Sequence, residues 1–200
     1  QAGLNCVSFN GYGRTAQSNI GGRGIPNHTW NAVQLNAKWY LCDATWSSGS
    51  IDVVSQTFIP QFDDSYFLAH PELFIRSHYP LDSTWTLTQH PFTLNEFLNG
   101  PLVYRGAFQQ HLTLFDPDVF SVSCKKGDSV SFRFARSHKK QVKNAKIQIG
   151  RGGPLSTYDV EVLPENGSYV LSHVFKNKGI FTVHILLDSV MVTTYSVKVE

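Results

Sequence analysis

The chain has 200 residues, with 17 basic and 15 acidic side chains and a net charge of +2; 42% of its residues are apolar. That length allows one large domain or two small ones with a real core. So balanced a charge excludes a protein that holds nucleic acid by clustered Lys and Arg. No apolar run approaches the roughly 20 residues a membrane-spanning helix needs. The opening QAGLNCVSFNGYG lacks the basic and long apolar regions of a signal peptide.

In chain order, Cys6–Gly11 alternates weakly and predicts a strand. Tyr12–Asn27 carries Gly13, Gly21, Gly22, Gly24 and Pro26, a long loop of the kind that borders a site. Two strand-like runs follow, His28–Leu35 and Trp39–Thr45, joined by a short turn at Asn36-Ala37. Ser65–Phe74 and Thr93–Leu98 carry short helical signals, the second with Thr93 placed to cap three residues before Glu96. Pro71, Pro80 and Pro91 divide this block. From about Leu112 the texture becomes alternating β-branched and aromatic runs, with turn signals at Gly127, Gly150–Gly153, Gly167 and Gly179. Six or seven short strands there predict an antiparallel β-sandwich, with a boundary near Tyr104–Gln110. The basic run Ser137–Lys146 reads as a solvated hairpin loop, and His173 and His184 as ordinary strand positions. Asn27-His28-Thr29 and Asn166-Gly167-Ser168 fit a glycosylation sequon, a pattern common by chance.

Chemistry concentrates in the first hairpin. With a two-residue turn at Asn36-Ala37, Leu35 pairs with Lys38, Trp30 with Asp43 and His28 with Thr45. Residues 28, 30, 43 and 45 then share a face. His28 and Asp43 become diagonal neighbours about 7–8 Å apart along the backbone, close enough for their side chains to meet. Asp43 could then accept from one ring nitrogen and leave the other for a nucleophile. A three-residue loop would put the two on opposite faces. The bland alternative is that His28 caps a strand and Asp43 merely ends one. A metal site of His28, Cys42 and Asp43 is disfavoured, since Cys42 and Asp43 alternate to opposite faces. Neither a metal nor a cofactor is expected. Cys6, Cys42 and Cys124 are odd in number and widely spaced, so they read as free thiols rather than a disulfide framework.

Gly3-Leu4 with Cys6–Gly13 (CVSFNGYG), Asn27–Asn31 (NHTWN) and Lys38–Trp46 (KWYLCDATW) resemble the transglutaminase-like superfamily, most closely its kyphoscoliosis-peptidase-like branch. Asp64–Leu87 (DSYFLAHPELFIRSHYPLDSTWTL) is similar to a further segment of that branch. The β-rich second half resembles the Ig-like domain appended to its bacterial members. The resemblance implies an α+β chain: residues 1–104 a partial transglutaminase-like, papain-type core, and residues 105–200 an Ig-like sandwich. It makes His28 the catalytic histidine and Asp43 its orienting aspartate. Trp30 and Asn31 share the histidine motif and are expected to shape the substrate cleft.

The family's nucleophile, a cysteine heading a helix upstream of the GY strand, does not carry over to Cys6, Cys42 or Cys124. Two readings stay open. In one, the chain is the C-terminal part of a cysteine peptidase or acyltransferase whose nucleophile sits on an N-terminal segment or a separate chain, with a peptide or protein as substrate. In the other, it is a non-catalytic module that binds peptide or glycan. The bacterial resemblance points to an extracytoplasmic location, for which the unpaired cysteines give no support.

Overall fold

The computed structural model describes residues 3–52, 55–137 and 141–200. Antiparallel strands dominate, arranged in two compact units, Gln1–Leu98 and Asn99–Glu200. Among the described residues no helix is long and apolar enough to cross a membrane.

The first unit contains β1 (Cys6–Gly13), β2 (His28–Leu35), β3 (Lys38–Cys42), α1 (Ala44–Ser48), β4 (Gly49–Asp52), β5 (Thr57–Pro60), β6 (Phe67–Ala69), α2 (Pro71–Phe74), β7 (His78–Pro80) and most of α3 (Leu94–Asn99). Its main sheet has the order β6-β3-β2-β1-β7. One face buries Trp30, Ala32, Leu41 and Phe74. On the other, Tyr12 packs against the cluster of Tyr79, Phe97 and Leu98. The exposed hairpin β4–β5 stands apart as a sheet of its own.

The β2–β3 turn has two residues. Leu35 pairs with Lys38 and Asn31 with Cys42, the register that places His28 and Asp43 on one face. Asn36 and Ala37 both take positive φ (49° and 62°), as a type I′ hairpin turn requires. β3 ends sooner than its sequence suggests. Thr45 lies in α1, and Asp43 is the N-cap that starts that helix. The expected helix over Ser65–Phe74 is also interrupted, because Phe67–Ala69 forms β6 on the edge of β3. Pairing with a waiting edge prevails there over local helical preference. The helix at Leu94–Asn99 does form behind its capping box. Thr93 Oγ1 accepts from the Glu96 N–H, and the Glu96 carboxylate accepts from the Thr93 N–H.

The second unit contains β8 (Leu102–Val103), α4 (Arg105–Gln109), β9 (Leu112–Asp116), β10 (Ser121–Cys124), β11 (Ser129–Arg136), β12 (Ala145–Gly150), β13 (Ser156–Val160), β14 (Leu163–Glu165), β15 (Ser168–Val174), β16 (Gly179–Leu187) and β17 (Val190–Val199). One sheet runs β10-β17-β16-β12-β13, with β8 pairing to β17; the other runs β14-β15-β11-β9. Phe132 and Leu171 from the second sheet are buried with Ile147, Ile185 and Tyr195 from the first. The Phe132 and Tyr195 rings meet with centroids 4.9 Å apart, so the two sheets form a sandwich around one core. β10 runs parallel to β17, and the other pairings are antiparallel. Of the basic run, residues 138–140 lie outside the described residues, and Ala145-Lys146 begin β12.

Candidate functional site

The site is assembled on the main sheet of the first unit. β1 lies between β2 and β7, and its sequence ends in Gly11-Tyr12-Gly13. Gly11 pairs with His28 of β2 and with Pro80 of β7; Gly13 pairs with His78 of β7. Directly paired residues project from the same face of a sheet, so both glycines leave that face bare where the two histidines need it. A Cβ at Gly13 would stand 2.9 Å from the His28 Cβ. One at Gly11 would stand 2.3 Å from the Trp30 ring. With the face open, the imidazoles of His28 and His78 come within 5.4 Å of each other, centroid to centroid, over β1.

Asp43 receives both. Its Oδ2 accepts from His28 Nε2 and, at 3.0 Å, from His78 Nε2. Its Oδ1 accepts the Trp46 backbone N–H at 3.0 Å, which caps α1. Asp43 is 1% exposed and His78 0%. Burial by itself would raise the Asp43 carboxyl. The hydrogen bonds from His28 and His78, with that from the Trp46 N–H, outweigh it and hold the group well below the usual carboxylate range. Burial pushes the His78 imidazole below its ordinary value despite its bond to Asp43, so the ring is neutral at pH 7. In that form Nε2–H donates to Asp43 and Nδ1 accepts from Ser77 Oγ at 2.8 Å.

His28 differs from His78 in one respect. Its Nε2 is committed to Asp43, but its Nδ1 has no hydrogen-bond partner among the described residues. The ring borders an open pocket of about 520 Å³, lined also by Asn10, Asn27, Thr45 and Leu81. Aromatic rings hold the buried side in place. Trp46 lies 5.2 Å from the His28 ring and 4.4 Å from the His78 ring, and Phe74 stacks on His78 at 4.1 Å. An imidazole fixed by a carboxylate on one nitrogen and open on the other can act as a general base and acid. His28, Asp43 and His78 each offer a ligand atom within 4.8 Å of the others, a set a divalent cation could use. Here the carboxylate oxygen is occupied by two N–H donors.

The residues expected at the cleft divide. Trp30 is 1% exposed and stacks beneath His28 with centroids 5.9 Å apart, so it supports the ring from within the core. Asn31 alternates to the opposite face, where its side chain donates to Ser8 Oγ. It does not line the His28 pocket, which corrects the expectation that it shapes the cleft. His78 went unassigned in the sequence, although it stands in the quoted FIRSHYPLD run. Nothing local distinguishes it, because its partners are 35 positions away on β3 and next door at Ser77.

Neither cysteine of the first unit adjoins the His28 Nδ1. Cys6 lies on the exposed start of β1, five residues before the position paired with His28. Cys42 pairs with Asn31 and so projects from the face opposite His28, and burial raises its thiol. Cys124 belongs to the second unit, and burial raises its thiol too.

No family model matches the chain. Kyphoscoliosis peptidase of Mus musculus is 40% identical over 101 residues, which is 50% of this chain and 15% of that protein. The Lim and transglutaminase domain protein ltd-1 of Caenorhabditis elegans is 28% identical over 160 residues, or 66% of this chain and 22% of that one. The chain therefore spans less than a quarter of the length of either relative. Among solved structures, the swine CD8αα homodimer matches 40% of this chain and 93% of its own at 15% identity, with a TM-score of 0.28. A score that low carries no argument, and the sandwich rests on its own strand pairing. By sequence similarity the chain stands in a kyphoscoliosis-peptidase-like relationship to these proteins.

Proposed function

We propose that the chain is the His/Asp-bearing part of a transglutaminase-like cysteine peptidase or acyltransferase that acts on amide bonds. In this reading its first unit is a partial papain-type core and its second an Ig-like domain. The observation that carries the proposal is His28, held by Asp43 through Nε2, without a hydrogen-bond partner on Nδ1 among the described residues, and lining an open pocket. The name of the 40%-identical relative supports it.

A thiolate that reached Nδ1 would be paired with the imidazolium and so be available at neutral pH. Attack on an amide carbonyl forms a carbon–sulfur bond. His28 passes its proton to the leaving nitrogen as the carbon–nitrogen bond breaks, leaving a thioester. A water or amine acceptor then gives up its proton to His28 as it attacks, and the thiolate returns. Water makes the reaction hydrolysis, an amine makes it transamidation, and the residues here serve both. Asp43 stays anionic throughout and holds the ring. In this reading the nucleophilic cysteine comes from an N-terminal segment or a separate chain, since Cys6 and Cys42 do not lie beside His28.

The test is thiol labelling of the full-length protein with iodoacetamide. One fast-reacting cysteine outside residues 1–200 is expected, slowed at least tenfold by His28→Ala. Labelling unchanged by His28→Ala rejects the imidazole–thiol pairing and leaves a non-catalytic module that binds peptide or glycan as the better reading.

A further inference from the structure

We propose that His78 is a positioning residue of this site: a buried imidazole that fixes Asp43 and, through it, the ring tautomer of His28. The inference rests on the reading of His28 as the working histidine, but it is tested without any activity.

Asp43 Oδ2 accepts from His28 and His78 together. A carboxylate held only by His28 could turn about its side-chain torsions and offer either oxygen. Oδ1 is tied to the Trp46 backbone and Oδ2 to His78, so both oxygens are fixed before His28 arrives. His28 then meets an acceptor in one place only, and its proton stays on Nε2. The free nitrogen is therefore always Nδ1, on a residue that lines the pocket.

His78 suits this task because it cannot move or exchange readily. It is fully buried, stacked on Phe74 and packed against Trp46, with Nδ1 anchored by Ser77 Oγ, itself buried. A donor with a full positive charge at that depth would pair with Asp43 and weaken its hold on a protonated His28. A neutral N–H orients the carboxylate without cancelling its charge. The residue comes from β7, across β1 from His28, on the face where Gly11 and Gly13 present no side chain and the Trp30 ring and His28 fill the space.

The experiment is nitrogen-15 NMR of the histidine rings in this chain near pH 8, where free imidazoles are neutral. The wild-type spectrum should show His28 as a single tautomer with the proton on Nε2. His78→Gln, which keeps an N–H donor, should preserve that pattern. His78→Leu should lose it, with the two His28 nitrogens moving toward averaged shifts. A folded His78→Leu chain in which His28 remains a single Nε2–H tautomer overturns the proposal. If His78→Leu fails to fold, Ser77→Ala decides. It removes only the hydroxyl that anchors His78, and exchange broadening of the His28 nitrogens is expected. Unchanged His28 signals in that variant overturn the proposal. Tautomer loss together with absent thiol labelling in the full-length protein would reject the acyl-transfer reading and leave the His78 assignment standing.

Discussion

At the scale of single residues, the site depends on one buried carboxylate with three partners. Asp43→Ala strands two imidazole N–H groups and uncaps α1. Breaking a buried charged network costs about 3–5 kcal/mol, of which the cap accounts for about 1 kcal/mol. Urea unfolding followed by tryptophan fluorescence should show a loss of that size. Gly13→Ala tests the open face above β1. Its methyl would stand 2.9 Å from the His28 Cβ, so stability should fall by about 1–3 kcal/mol, the usual cost of overpacking. The His28–Asp43 pairing should loosen with it, seen as loss of the single His28 tautomer by NMR.

The pH dependence of stability follows from the same residues. His78 has its folded value lowered from 6.5, so the unfolded chain takes up its proton first. Its contribution is complete above about pH 6.5 and is lost as pH falls below that value. Asp43 is lowered from 3.8, so its contribution persists below His78's range and is lost only as pH falls through and below the ordinary carboxylate value. Unfolding free energies measured from pH 8 to pH 3 should decline in that order. The difference between wild type and His78→Gln should shrink as pH falls below about 6.5. A difference that stays constant from pH 8 down to pH 3 would show that His78 does not titrate on unfolding.

At the scale of elements, the β2–β3 hairpin places His28 and Asp43 together, and its turn decides the register. Ala37 sits at φ 62° in a type I′ turn, where a Cβ is unfavourable. Ala37→Gly should therefore stabilise the chain by about 0.5–1 kcal/mol, the gain relieved backbone strain and turn preference allow. Equilibrium denaturation would reveal it. The hairpin was legible because alternation and a two-residue gap fix a register without outside help. The end of β3 was not: Asp43 could extend a strand or begin a helix, and contact with the imidazoles and the Trp46 N–H settled it. The run from Ser65 to Phe74 misled for a related reason. Its helical spacing is real, but β3 offered an open edge to Phe67–Ala69.

At the scale of the whole molecule, each unit has its own core. All four tryptophans, at positions 30, 39, 46 and 85, lie in the first unit, so their emission reports that unit alone. Phe132 is wholly buried in the sandwich. Phe132→Ala should cost the second unit about 3–5 kcal/mol and lower the midpoint of the far-ultraviolet transition, while the tryptophan transition keeps its midpoint. A matching shift in both would show that the units unfold together.

By itself the sequence determined the alternating strands of the second unit and the capping box of α3, and it offered a two-residue turn whose register unites His28 with Asp43. Each is set by neighbours a few residues apart, through side-chain period, turn length or a local cap. Only the tertiary structure decided that His78 joins Asp43 and that Trp30 sinks into the core. Those outcomes depend on β7 pairing with β1 and on burial across the sheet. A contact such as that between Asp43 and His78, 35 positions apart, leaves no period in the chain from which to read it.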